Sequence, residues 1–159
     1  MVAPQATTPA IIRADFITTI KAIAPSHPQH RDKPWRYCEN PQDVASGLRI
    51  RKFHLLCMPG ERDPEGFFGE GETWMFRMNV ITSYGDLDAE ADDSIVTRDA
   101  VDLSHAFIRR QEPVLPGLEY VRYLGFESEV QQTDEIDAVG QLVGFHLFEV
   151  HYHEAALGF

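Results

Sequence analysis

The residues best suited to chemistry lie near the end of the chain, in Glu149-Val150-His151-Tyr152-His153. On a strand, positions two apart leave the same face, so His151 and His153 would project together with the Glu149 carboxylate beside them. Two imidazoles and a carboxylate are a ligand set for Zn²⁺ or Fe²⁺. A metal centre also needs a third or fourth ligand fixed by hydrogen-bonded neighbours, and the sequence identifies none. The expectation is therefore a strand end facing solvent or an interface, with no bound metal.

Asp86, Asp88, Glu90 and Asp92 alternate like the opening of a calcium loop. The sixth position is Ala91, where the sharp turn takes glycine, and the twelfth is Thr97, where a bidentate Glu belongs. Both decisive positions fail, and the run, extended by Asp93, reads as solvated carboxylates heading a helix. Other chemistries find even less support. There is no Gly-x-Ser-x-Gly, and Gly66, Gly69 and Gly71 precede neither a Lys-Ser/Thr pair nor a helix whose amides could hold a phosphate. Cys38 and Cys57 form no CxxC pair and read as reduced thiols. Catalysis has no motif here, and the chain is expected to be neither an enzyme nor a cofactor protein.

The elements that must position these residues follow from periodicity. Thr8-Pro9 offers a capping hydroxyl and then proline at the first helical position. Ile12, Phe16, Ile20 and Ile23 continue at helical spacing until Pro25. Residues 25–47, rich in Pro, His, Asp and Asn, read as a long connection covering part of the core. A strand is predicted over about 48–58, ended by Pro59-Gly60. The next strand is the clearest: Trp74, Phe76, Met78 and Val80 point one way, while Thr73, Met75, Arg77, Asn79 and Ile81 point the other. These two strands should form an antiparallel hairpin whose long tip spans residues 59–71.

Tyr84-Gly85 should break the second strand. A helix then spans about 92–110, with Val96, Ala100, Val101, Leu103 and Phe107 on its buried side. Its acidic head and Arg109-Arg110 at its end complement the helix dipole. Two more strands, about 118–131 and 141–153, close the chain. The last is apolar on both faces from Leu142 to Phe148, as in a central strand, and should emerge into solvent at its end. The sum is an α+β domain over residues 1–159, with an N-terminal arm (1–8). An antiparallel sheet of about four strands carries two helices on one face, in the order α-β-β-α-β-β.

The bulk composition sets the partners. Twenty-five acidic residues against fourteen basic ones give a net charge of −11. That field opposes nucleic-acid backbones and anionic membranes, yet suits a surface that DNA passes without sticking, or serves plain solubility. No window approaches the ~18 apolar residues of a membrane span. The opening residues lack the basic start and apolar run of a signal peptide, so a cytoplasmic origin is expected. In the hairpin tip, Phe67-Phe68 sits among glycines and the acids Glu61, Glu65, Glu70 and Glu72. Paired aromatics on a protruding loop either fold back on the core or anchor in a partner.

The layout resembles the tail-terminator (tail-completion, neck) proteins of long-tailed bacteriophages. The stretches that carry the likeness are Trp74-Met75-Phe76-Arg77-Met78-Asn79-Val80, the helix Ile95–Arg110, and Gly144-Phe145-His146-Leu147-Phe148-Glu149-Val150-His151-Tyr152. The resemblance implies a virion protein of the tail or neck, assembled in the host cytoplasm as a homo-oligomeric ring, usually a hexamer. Such a ring caps the tail tube, ends its polymerisation, and offers its other side to the head connector or stopper protein. On that reading Phe67, Phe68, Glu61, Glu65, Glu70 and Glu72 lie at an interface. Asp86, Asp88, Glu90, Asp92 and Asp93 line the lumen or rim past which DNA moves unbound. The competing readings are another head–tail connector component, a small cytosolic enzyme using the His151/His153 face, and a general interaction module.

Overall fold

A computed structural model describes residues 7–28, 31–40, 51–58, 60–62, 73–86, 93–108, 115–131 and 141–153. Helix α1 spans Pro9–Lys21, with Thr8 as its cap: its side chain accepts from the Ile11 amide at 3.4 Å, and Pro9 opens the first turn. This start matches the sequence, because capping is a local interaction. The helix stops at Lys21, before Pro25; the Ala22 amide closes back onto the Thr18 and Thr19 carbonyls, and the Ile23 amide onto the Ile20 carbonyl.

The strands are β1 (Arg36–Tyr37), β2 (Lys52–Cys57), β3 (Glu61–Arg62), β4 (Thr73–Asp86), β5 (Leu118–Gln131) and β6 (Gln141–His153); α2 covers Asp93–Ile108. The main path of the sheet runs β1-β2-β4-β6-β5, and β3 pairs with β4. All pairings are antiparallel except β1 with β2. The chain is thus α+β, with two helices on a mostly antiparallel sheet. Because β4 and β5 both run antiparallel to β6, they are parallel to each other. A reversal of direction between neighbours needs only a turn, whereas this parallel pair is bridged by α2.

Both helices cover the same face. Ile12, Phe16 and Ile20 of α1 and Leu103 and Phe107 of α2 share one core with Phe76, Met78, Val80, Phe148, Val150 and Tyr152. Phe16 is its hub: its ring lies 4.3 Å from Phe107 and 6.1 Å from Phe148, the latter edge-on.

Several expectations need correction. Tyr84-Gly85 does not end β4, which continues to Asp86; the register instead slips between Ser83 and Asp86, where β4 stays paired with β6. A neighbouring strand can absorb such an irregularity as a bulge. The first predicted strand is shorter, Lys52–Cys57, and the 25–47 connection contributes β1. Val101 is exposed rather than buried. The end of β6 does not emerge: His151 and Tyr152 are both buried. The N-terminal arm ends against it, with the Thr7 amide donating to the His153 carbonyl at 2.8 Å. Among the described residues, no helix is long and apolar enough to cross a membrane.

Candidate functional site

With the helices on one side, odd-numbered positions of β4 and β6 project from the other face. Register sets them in rows. Arg77 stands beside Glu149, and Glu149 beside Arg122 of β5. One row along, Leu56 aligns with Asn79 and Asn79 with Leu147; the next aligns His54, Ile81, Phe145 and Glu127. A solvated sheet face ordinarily alternates to polar residues. Here its middle carries Leu56, Ile81, Phe145 and Leu147, with Leu56 exposed.

His151 and His153 are separated by their partners. Nε2 of His151 lies 2.7 Å from Glu149 Oε1, and the ring stacks on Tyr120 with centroids 4.1 Å apart. Nε2 of His153 is 2.8 Å from Glu119 Oε1. Each imidazole thus has a carboxylate of its own. Among the described residues, no three His, Cys, Asp or Glu side chains are grouped to hold a metal ion.

The acidic positions divide. Asp86 is the last residue of β4, aligned with Gln141, and Asp93 is the first of α2. Asp88, Glu90 and Asp92 lie outside the described residues, as do Glu65, Phe67, Phe68, Glu70 and Glu72. Glu61 belongs to β3, aligned with Met75, rather than to an unpaired tip.

The strongest polar interactions are ones the sequence did not announce. Arg51 and Asp99 are 1% and 0% exposed and meet at 2.9 Å. The same guanidinium donates to the Lys33 carbonyl at 2.6 Å and lies over the Trp35 ring at 5.2 Å. This ion pair locks α2 to the segment ahead of β2. A signal was present, because Asp99 falls between Val96 and Leu103 at helical spacing and so must lie on the buried stripe.

Asp102 is half-buried and accepts from the Ser26 hydroxyl at 2.7 Å and its amide at 3.0 Å. Near the other end of α1, Arg13 bonds the Tyr37 hydroxyl and sits over that ring. Burial raises both the Tyr37 phenol and the Cys57 thiol, against the lowering pull of Arg13. A thiol held protonated is a poor nucleophile.

His146 completes the set. It faces the core at alternate spacing from Phe148, and burial pushes its pKa down to about 3. Its Nδ1 is 3.1 Å from the Tyr123 hydroxyl. Among the described residues Nε2 has no hydrogen-bond partner. Burial likewise raises the Tyr123 phenol. Tyr37, Cys57, Asp102 and Tyr123 are half-buried, whereas His146 is fully enclosed.

No protein-family model and no curated protein matches this chain.

Proposed function

We propose that this protein is a ring-forming structural subunit of a phage neck, a tail terminator that caps the tube and joins it to the head connector. The observation that carries the reading is architectural. Two helices lie on one face of an antiparallel sheet, in the resembled order, and apolar side chains stand on the opposite face, where a solitary domain would place polar ones. Repeated head-to-tail contacts whose rotation closes produce a ring. Each must bury more than about 1,000 Å² in total to be stable. The charge of −11 suits a lumen through which DNA slides.

Light scattering should give a mass near six chains, or near twelve where two rings pair, and negative-stain images an annulus. Replacing Phe67 and Phe68 together with Ser should preserve the fold and the circular-dichroism spectrum while reducing the ring fraction. A protein strictly monomeric at high concentration, and absent from mature particles, defeats the proposal. Unchanged ring formation by the double variant removes Phe67 and Phe68 as anchors.

A further inference from the structure

Strand β5 forms one end of the sheet, and among the described residues no strand pairs with its outer edge. It is fourteen residues long and carries three exposed large side chains: Tyr120 (42%), Leu124 (41%) and Phe126 (40%). Long apolar edges of this kind invite another strand. A single strand carrying both charge signs can present a self-complementary edge.

We infer that the β5 edge pairs antiparallel with β5 of a second copy, about a two-fold axis between Leu124 and Gly125. In that register Arg122 stands opposite Glu127 of the other copy, and Tyr123 opposite Phe126, each pair occurring twice. A regular strand could not do this, because positions whose numbers sum to an odd value lie on opposite faces. Between Tyr123 and Gly125, however, β5 carries one extra residue against β6. The slip moves Phe126 to the face of Tyr123, aligned with His146, and Glu127 to the face of Arg122. Both Arg122 and Glu127 are exposed.

The centre of the contact is also prepared. Gly125 has φ +134°, and nothing lies within 4 Å of where a Cβ would sit. That gap receives Leu124 of the partner copy. Opposite charges and aromatic pairs directly across antiparallel strands are favourable, and like charges are not. The occupant is therefore another copy of this chain. The contact is isologous, distinct from any head-to-tail contact that closes a ring, and stands or falls independently of it.

Cysteine cross-linking reads the register. Two copies of residue 124 would sit diagonally, about 6 Å apart, within disulfide reach. Two copies of residue 128 would be seven positions apart along the strands, about 23 Å. Under mild oxidation of the full chain, Leu124→Cys should run mostly as a covalent dimer, whereas Ser128→Cys and the parent protein should not. Glu127→Arg, which sets two arginines opposite each other twice, should weaken self-association on the order of tenfold. Circular dichroism checks that each variant is folded. The inference is overturned if Leu124→Cys fails to cross-link, if Ser128→Cys cross-links equally well, or if Glu127→Arg associates as tightly as the parent. Pairing of β5 with another edge or another protein would appear as the first of these results.

Discussion

Replacing His146 with glutamine should make the protein less sensitive to acid. In the fold the imidazole is buried and its pKa falls to about 3, from an ordinary 6.5. Its neighbours are the Tyr123 phenol, which stays protonated, and the Phe126 ring at 5.9 Å. The sign follows directly. Between these two values the unfolded chain holds a proton that the folded chain refuses, so stability falls as pH drops through this window. Above the ordinary value the residue is neutral in both states and contributes no slope. From about pH 7 to about pH 4 the linkage integral gives a loss of roughly 3 kcal/mol from this one side chain. Against the marginal stability of a small domain, roughly 5–15 kcal/mol, that is a large share. Urea unfolding followed by Trp35 and Trp74 fluorescence, at fixed low protein concentration and several pH values, measures it. The parent should lose about 3 kcal/mol more than His146→Gln over that range. Carboxylate effects common to both proteins cancel in the difference. Parallel pH profiles would refute the assignment of a buried, neutral His146.

Other outcomes follow from the same contacts. Asp99→Ala leaves the Arg51 guanidinium buried without its carboxylate and should cost about 3–5 kcal/mol in urea unfolding, whereas Arg51→Met with Asp99→Leu should recover much of the loss. Gly144→Ala would place a Cβ 2.6 Å from Thr82 Oγ1 and 3.3 Å from both His146 Nε2 and Val96 Cγ1. It should destabilise by about 1–3 kcal/mol, because a packed core cannot admit the methyl without shifting α2 or β6. Phe16→Ala removes the hub between α1, α2 and β6 and should cost about 3–5 kcal/mol, seen as a lower urea midpoint.

The sequence by itself determined the elements whose causes are local. Thr8 and Pro9 set the start of α1, the alternation from Trp74 to Val80 set the middle of β4, and the two closing strands have the predicted bounds. The same patterning disclosed two helices on one sheet face, because an apolar stripe and an apolar strand face must be buried together. Tertiary structure decided everything that depends on distant partners. Arg51 is paired with a carboxylate 48 positions away, and β1 joins the sheet in parallel through two residues that carry no strand signal alone. Gly85 stays in β4 because β6 remains beside it, and Val101 is exposed although the helical pattern placed it inside. The histidines show the division most clearly. Spacing placed Glu149, His151 and His153 on one face, but only the fold paired Glu149 with His151 and supplied Glu119 to His153. A period in the sequence specifies which side of an element is apolar; the charge or ring that meets each side chain is fixed by chain segments brought together only in the folded sheet.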